Sequence, residues 1–311
     1  MVNSSGCCVL EAPILDKALP PILFIEFILG TTGNFMFLCM FALDAANWKP
    51  NSIYLAHLSV ADTVLLFFMP FRAHYYIVRQ DWIFGDAFCR MLLFFVAANR
   101  TASIFFLTAV AVDRYVKIVH PQHRLNRMNL KFAMGVSTGL WAVVFLLIGQ
   151  VLGSSHFFSL KNRTQCESFN ICLDNNLTVL WHSTFFVVQF FVPGSIITFC
   201  TVCITWQLKT KTMDTTGKIK RAVRFIFMVA VVFFLCFLPS TASRVTVWVL
   251  MIWYDQCSQF TDPNVAFYFS LCFTYFNSAL NPLLYYFSTP AVSGIIQNFL
   301  RKLRGQKEVA S

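Results

Sequence analysis

The sequence predicts an all-α membrane protein in which a seven-transmembrane helix bundle is followed by a short amphipathic eighth helix. Of its 311 residues, 57% are hydrophobic and only 12% are charged, which lies outside the usual range of soluble domains. About 20 apolar residues cross the hydrocarbon core as a helix, so sparsely charged windows of that length are candidate spans. Seven such windows occur, at 21–44, 51–76, 87–115, 132–153, 178–207, 221–250 and 264–287.

The regions outside the spans are short. The N-terminal segment, 1–20, is predicted to be extracellular; it contains three charged residues and no apolar h-region. We therefore expect no cleavable signal peptide and insertion through the first span. The helix bundle fills 21–288 without room for a second domain, and 289–311 is predicted to hold the eighth helix, at about 290–303, and a short cytoplasmic tail.

Each span carries a short motif. In chain order these are Gly33-Asn34, Leu58-Ser59-Val60-Ala61-Asp62, Asp113-Arg114-Tyr115, Trp141, Pro193, Cys236-Phe237-Leu238-Pro239 and Asn281-Pro282-Leu283-Leu284-Tyr285. The prolines of the last three spans each remove a backbone hydrogen bond and can kink their helices. Hinges of this kind supply the bistable element that a conformational switch requires.

Basic residues gather on one side of the predicted bundle. They are Lys117, Arg124, Arg127, Lys131, Lys209, Lys211, Lys218, Lys220, Arg301, Lys302, Arg304 and Lys307. Because basic loops stay in the cytosol, this distribution predicts a multi-pass plasma-membrane protein with an extracellular N-terminus. The net charge of +10 then reflects topology and attraction to anionic membrane lipid. A nucleic-acid partner is disfavoured, because these charges border spans and form no basic domain.

The outward side holds features of an oxidising compartment. Six cysteines fall there, namely Cys7, Cys8, Cys89, Cys166, Cys172 and Cys257, which predicts three disulfides. Three glycosylation sequons, at Asn3, Asn162 and Asn176, fall on the same side. The sequon at Asn99 lies within the third span and is expected to stay unmodified.

Arginines inside the outer half of the bundle indicate an acidic ligand. Arg100 lies eleven residues after Cys89, or about 16 Å along a helix, and Arg72 and Arg244 are placed near the same depth. A guanidinium group binds a carboxylate through two parallel hydrogen bonds. Alternatively, Arg100 forms a structural ion pair with Glu26 or Glu167.

Bulky side chains are predicted to surround these arginines. They are Tyr75, Tyr76, Phe169, Phe267, Tyr268, Leu271 and Tyr275. A pocket with several cations and many aromatic rings suits a small carboxylate, although aromatic residues of membrane helices often only pack against one another. The third span has no aspartate near Arg100, which disfavours amine ligands.

Asp62 is an ionisable group inside the bilayer and is therefore a functional-site candidate. It is either an ion-binding residue or a structural centre of hydrogen bonds. Arg114, at the cytosolic end of the third span, is either part of a switch or an arginine that extends to the membrane surface.

Taken in order, the span motifs resemble those of the rhodopsin-like G-protein-coupled receptors over the whole chain. That resemblance implies an allosteric sodium ion at Asp62 with Asn34 or Asn281 nearby, and no other cofactor or metal. It also implies a resting-state ion pair between Asp113 and Arg114. The positions implied to switch on activation are Asp113, Arg114, Tyr115, Phe237, Pro239, Asn281, Pro282 and Tyr285. Tryptophan is the usual residue of this family at the position of Phe237.

Further patterns are similar to those of the hydroxycarboxylic acid receptors. They are Cys7-Cys8, Trp82-Ile83-Phe84-Gly85-Asp86, Asn99-Arg100, His120-Pro121, Cys166-Glu167-Ser168-Phe169, Trp181-His182 and Phe273-Thr274-Tyr275-Phe276-Asn277-Ser278. The resemblance implies bridges Cys89–Cys166, Cys7–Cys172 and Cys8–Cys257, which would form a lid over the pocket. It further implies that Arg100 anchors the ligand carboxylate, that Tyr275 adds a hydrogen bond and that Ser168 lies on the loop above.

The lactate-responsive branch additionally resembles this chain at Arg72, Arg244 and Glu167, whereas the nicotinate and 3-hydroxybutyrate branch is apolar where Arg72 stands. Lactate or a similar short hydroxy acid is therefore the first choice of ligand. The oxoeicosanoid receptors share the run from Asn99 to Ser103, so an oxidised fatty acid is the alternative.

The resemblance implies coupling to a G-protein of the inhibitory class, which lowers cyclic AMP. An anion transporter is a rival class, but it predicts internal repeats with paired broken helices, and the two halves of the sequence show none. An enzyme is not expected, since no intramembrane Ser-His pair or metal-ligand cluster occurs in the sequence.

Overall fold

A computed structural model describes residues 7–8, 12–43, 48–123, 129–153, 156–160, 163–167, 171–172, 177–210, 218–253, 259 and 261–288. Several predictions fall outside these residues. They concern the glycosylation sites Asn3, Asn162 and Asn176, the loop residues Ser168 and Phe169, Cys257, and the eighth helix with the tail.

The described residues form seven long helices and one short one. The helices are α1 (Pro13–Leu43), α2 (Pro50–Ile77), α3 (Asp86–Val119), α4 (Leu130–Ile148), α5 (Gln150–Gly153), α6 (Leu177–Thr210), α7 (Lys218–Trp253) and α8 (Thr261–Ser288). The predicted seven-helix bundle is thus confirmed. The first helix begins at Pro13, earlier than the apolar window, because its first turns pack Leu15 and Leu19 inside the protein.

Six of the long helices are long and apolar enough to cross a membrane, within the residues described. The exception is α8, whose inner side is polar: Ser270, Thr274, Asn277, Ser278 and Asn281 are all buried. These side chains lower the hydropathy of α8 without facing lipid. Many large apolar side chains instead lie on the outside of the bundle; Leu146, for example, is 83% exposed. Such a surface is expected to contact hydrocarbon chains.

Local sequence sets where several helices begin. Lys49 precedes α2 with extended backbone and Pro50 occupies the first helical turn, where its missing N–H costs nothing. Asn129 caps α4, accepting a hydrogen bond from the Phe132 amide at 3.1 Å. Before α3, Gly85 adopts a φ of 81°, which favours glycine because it has no Cβ.

Helix α3 lies at the centre of the bundle, in contact with α2, α4, α6 and α7, while α1 packs on α2 and α8. Strand β2 (Phe157–Leu160) pairs with β3 (Arg163–Cys166) in an antiparallel arrangement at the end of the bundle where α3 begins. A disulfide joins Cys89 of α3 to Cys166 of β3, as expected. Strand β1 (Cys7–Cys8) pairs with β4 (Ile171–Cys172), with Cys7 opposite Cys172, so the backbone register suits the expected bridge between these two cysteines.

Candidate functional site

The guanidinium group of Arg100 is buried inside the bundle and held by hydroxyl groups. Its Nη1 donates to Ser240 Oγ at 2.7 Å and to Thr274 Oγ1 at 2.9 Å, and its Nη2 donates to Thr241 Oγ1 at 3.0 Å. The Nε atom has no hydrogen-bond partner, and the residue is only 4% exposed. The alternative of a structural ion pair with Glu26 or Glu167 is not seen among the salt bridges of the described residues.

Aromatic rings complete the surroundings of this cation. The Arg100 guanidinium carbon lies 4.0 Å from the ring centre of Phe186 and 5.3 Å from that of Phe237. Cation–π contacts stabilise a guanidinium by about 0.5 to 2 kcal/mol, which compensates only part of the cost of burying a charge. The arrangement therefore leaves the site suited to an entering anion.

A cavity of about 80 Å³ opens beside Arg100. Its wall is mostly apolar and comes from α3, α4, α5, α6, α8 and the loop before β2. The lining residues are Leu93, Val96, Ala97, Arg100, Thr101, Leu147, Ile148, Val151, His156, Phe185, Phe186, Gln189, Leu271 and Thr274. A cavity with one cation and apolar walls fits a carboxylate that carries a compact apolar part.

Arg72 is placed differently from the sequence expectation, because it already has a carboxylate partner. Its Nη2 lies 3.4 Å from Glu167 Oε2 and 3.0 Å from the hydroxyl of Tyr76, while Nη1 donates to the Cys166 carbonyl at 3.0 Å. Tyr75 donates to the other oxygen of Glu167 at 2.8 Å. Arg72, Glu167 and Tyr75 thus form a buried cluster that fastens the outer loop to α2.

Three further predicted ligand residues, Leu271, Tyr275 and Arg244, lie in different places. Leu271 lines the Arg100 cavity, whereas Tyr275 lies beside Arg72 in a separate, smaller cavity. Arg244 is 2% exposed, and its Nη2 donates to Ser183 Oγ at 3.2 Å. Arg244 does not line either cavity.

Sequence reasoning missed the polar residues that surround Arg100. Ser240 and Thr241 follow Pro239 directly in α7. Two adjacent hydroxyl residues in a membrane span are a sequence signal for partners of a buried arginine on another helix. His156, a cavity residue that is 7% exposed, lies between α5 and β2, where no helical periodicity indicates which side chains face inward.

Asp62 lies at the centre of a buried polar cluster deeper in the bundle. It accepts hydrogen bonds from Asn99 Nδ2 at 2.9 Å, Ser278 Oγ at 2.7 Å and Asn281 Nδ2 at 2.6 Å. The Oδ1 atoms of Asn281 and Asn277 are buried without a partner. A carboxylate, a hydroxyl and unpartnered carbonyl oxygens are the donors that a hard cation prefers, so these residues fit a sodium ion.

Asn34 belongs to the layer next to this cluster. Its Nδ2 donates to the Ser278 carbonyl at 2.8 Å, and its Oδ1 accepts from Ser59 Oγ at 2.9 Å and from the Tyr285 hydroxyl at 3.2 Å. Asn34 thus supports Ser278 and Tyr285, while Asn281, like Asn99, donates directly to Asp62.

The C-terminal end of α3 differs from the expected resting-state lock. Asp113 forms its salt bridge with Lys117, one turn along the same helix, at 2.7 Å. The guanidinium of Arg114 instead lies 5.0 Å from the ring centre of Phe225 on α7, and the hydroxyl of Tyr115 lies 3.1 Å from His120 Nε2. A lysine at i+4 reaches the carboxylate with little loss of conformational freedom, which explains why it competes successfully with Arg114.

The other predicted switch residues described by the structure lie in α7 and α8. Phe237 is fully buried, and its ring contacts the Arg100 guanidinium from α7. Pro239 lies in α7 and Pro282 in α8, and Tyr285 stacks on Phe37 with ring centres 3.7 Å apart.

Comparison with known proteins gives consistent matches. The family described as 7 transmembrane receptor (rhodopsin family) matches residues 33–285. Human hydroxycarboxylic acid receptor 2 is 40% identical over 99% of this chain and 85% of its own length. Human hydroxycarboxylic acid receptor 1 is 41% identical over 94% of this chain and 82% of its own length. Human oxoeicosanoid receptor 1 is 35% identical over 97% of this chain and 76% of its own length.

Proposed function

The chain belongs to the rhodopsin family of seven-transmembrane receptors and to its hydroxycarboxylic acid receptors, and on that basis we propose that it responds to an extracellular hydroxycarboxylic acid. The relatives are receptors and not enzymes, and this chain is a receptor of the same kind. The ligand carboxylate would bind Arg100, and the signal would pass to a G-protein of the inhibitory class that lowers cyclic AMP.

The observation that carries this proposal is the state of Arg100. Its three hydrogen-bond acceptors are neutral hydroxyls, its Nε is unpartnered, and a cavity adjoins it. A carboxylate would neutralise the buried charge through charge-assisted hydrogen bonds, which are about twice as strong as neutral ones. Arg72 offers no such opportunity, because a ligand there would have to displace Glu167.

Lactate is the first ligand to test, since the sequence resembles the lactate-responsive branch at three positions. Two of those positions, Arg72 and Glu167, are paired with each other in the buried cluster that holds the loop on α2. They would therefore act on the pocket indirectly. An oxidised fatty acid is the second candidate. It is favoured by the aliphatic wall of the cavity at Leu147, Ile148 and Val151, which suits an alkyl chain.

The remaining parts of the proposal concern the two ends of the receptor. With the N-terminus outside the cell, the hairpin over the pocket faces the extracellular medium and Arg114 faces the G-protein. Sodium at Asp62 would stabilise the resting conformation. The basic segments on the cytosolic side would contact anionic lipid and the G-protein.

The test is agonist-driven nucleotide exchange on purified G-proteins, together with suppression of cyclic AMP in cells. Lactate, longer hydroxy acids and oxidised fatty acids are the probes. Replacing Arg100 by Ala removes a charged hydrogen-bonding group, typically 1.5 to 3 kcal/mol, so potency should fall roughly 10- to 100-fold or more, with partial recovery in Arg100→Lys.

Arg90 provides the matched control. It lies on the same helix but is paired with Asp86 at 2.6 Å near the outer surface, so Arg90→Ala should keep potency within about a factor of three. Equal responses of Arg100→Ala and the wild-type receptor to every acid would refute the proposal. Uptake of labelled lactate by vesicles, without nucleotide exchange, would indicate a transporter instead.

A further inference from the structure

His156 contributes the second conspicuous polar group of the Arg100 cavity. It lines the same cavity as Arg100 and is 7% exposed. Its Nε2 atom is buried and has no hydrogen-bond partner. Leaving a buried polar atom unpartnered typically costs about 1 to 3 kcal/mol, so such an atom beside a cavity calls for an explanation.

The backbone of His156 is fixed in place. Its carbonyl oxygen accepts from the Glu167 amide at 3.2 Å and lies 3.8 Å from Sγ of Cys89. These contacts tie His156 to Cys89 and to Glu167, the residue that follows Cys166 of the disulfide. The imidazole therefore projects from a rigid support, which is the condition for selective recognition of a small group.

The ring offers an acceptor to the cavity. Backbone hydrogen bonds to Glu167 and Val151 favour the protonated ring, so the ring donates to them. Because Nε2 has no partner, we assign these bonds, and the proton of the neutral ring, to Nδ1. Nε2 then presents a lone pair.

Burial and the charged groups around His156 together favour the neutral ring over the protonated ring. Burial lowers the pKa of His156 below its usual value of 6.5, and Arg90 lowers it further, while Asp86 opposes that effect. Asp86 and Arg90 are bound to each other at 2.6 Å. The carboxylate of Glu167 is bound to Arg72 and Tyr75, and Arg100 shares the cavity.

We propose that His156 recognises the hydroxyl group of the ligand: Nε2 accepts a hydrogen bond from a hydroxycarboxylic acid whose carboxylate lies on Arg100. This inference rests on the proposed role of Arg100. An oxo acid with the same carbon skeleton has no O–H at that position and presents a second acceptor to Nε2. The site would therefore prefer hydroxy acids to the corresponding oxo acids, although Arg100 binds both carboxylates equally.

The experiment compares matched pairs of acids. Lactate is paired with pyruvate, and 2-, 3- and 5-hydroxyoctanoate with the 2-, 3- and 5-oxooctanoates, with octanoate as the parent acid. Potency is measured by nucleotide exchange in membranes containing the full receptor. A site that hydrogen-bonds a substrate hydroxyl discriminates strongly against analogues that lack it, so the wild type should prefer one hydroxy acid to its oxo partner by about 10-fold or more.

Two variants test the assignment to His156. In His156→Phe the preference should fall to near one, because hydroxy acids lose a hydrogen bond and oxo acids no longer face the lone pair of Nε2. In His156→Gln, whose amide both accepts and donates, the preference should be intermediate. Receptor number at the cell surface is measured for each, and if the Phe variant fails to reach the surface, the Gln variant decides.

The outcomes separate this inference from the proposed function. Equal potency of hydroxy and oxo acids in the wild type at every position, or an unchanged preference in both variants, overturns the role of His156 and leaves the acid receptor intact. No response of the wild type to any of these acids overturns both.

Discussion

The guanidinium carbon of Arg100 lies 4.0 Å from the centre of the Phe186 ring, which brings an α3 cation and an α6 aromatic face together at the cavity wall. This contact supports the charge while the pocket holds no anion. It also shields one face of the guanidinium, so a ligand must approach along its edge. Phe186 is therefore expected to set both the affinity of the site and the direction of approach.

Replacing Phe186 by Leu should lower agonist potency roughly 2- to 30-fold, the equivalent of a cation–π contact of about 0.5 to 2 kcal/mol. Phe185→Leu is the control, since Phe185 lines the same cavity without a comparable contact to Arg100 among those described. Concentration–response curves for cyclic AMP provide the measurement. Similar losses in the two variants would show that only cavity shape matters.

The hydroxyls around Arg100 lead to a second prediction. Ser240→Ala combined with Thr274→Ala removes both acceptors of Nη1, and a hydrogen bond to a charged group contributes about 1.5 to 3 kcal/mol. Potency should fall about 10-fold or more because the guanidinium loses its fixed orientation. The control is Ser243→Ala, whose hydroxyl donates only to the Pro239 carbonyl at 2.9 Å among the contacts described. Unchanged potency in the double variant would contradict this account of positioning.

A third prediction concerns Arg72, for which the structure indicates a role in stability. Arg72→Ala leaves Glu167 buried without its cation, and breaking a buried ion pair from one side costs about 3 to 5 kcal/mol. The melting temperature of the purified receptor should therefore fall. Replacing Arg72 by Met and Glu167 by Gln together removes both charges and should restore part of the loss. A melting temperature insensitive to Arg72→Ala would mean that the salt bridge contributes nothing.

The difference between Arg100 and Arg72 shows what the sequence could and could not predict. Depth in the membrane follows from position along a helix, so the sequence could predict that both arginines lie inside the bundle, where the structure buries them. The partner of Arg72 comes from Glu167, 95 residues later in the chain, on a loop whose path is set by the Cys89–Cys166 disulfide and by strand pairing. Periodicity contains no information on such a path, and the same reason explains why His156 was missed.

Local rules were more informative where partners are close in sequence. Lys117 lies four residues after Asp113, and the salt bridge between them follows from helical spacing alone. The family resemblance nevertheless directed attention to Arg114. Asp62 was identified because a carboxylate inside a bilayer needs partners, but its three donors come from α3 and α8, and their identity depends on the packing of these helices.

A fourth prediction tests the sodium proposal at Asp62. An ion that prefers the resting conformation lowers the affinity of the receptor for agonist. By linkage, agonist lowers the affinity of the receptor for the ion by the same factor. Sodium should therefore reduce agonist affinity several-fold in the wild type, and Asp62→Asn should abolish this effect. Potassium at equal ionic strength controls for screening, and Asp262→Asn, at the exposed start of α8, controls for loss of a carboxylate. Sodium sensitivity that survives in Asp62→Asn would place the ion elsewhere.

The close approach of α1 to α8 gives the last prediction. A Cβ atom added at Gly33 would overlap the ring of Pro282, and neither the helix backbone nor a proline ring can move aside cheaply. Gly33→Ala should therefore destabilise the receptor, by about 1 to 3 kcal/mol as for other overpacked sites. Gly135, on α4, has no atom within 4 Å of such a Cβ, so Gly135→Ala should be neutral or stabilising, because alanine is the better helix former by about 1 kcal/mol. The melting temperature of purified Gly33→Ala should thus fall below that of the wild type, while that of Gly135→Ala should stay the same or rise. An unchanged melting temperature in Gly33→Ala would show that α1 and α8 are not held this closely.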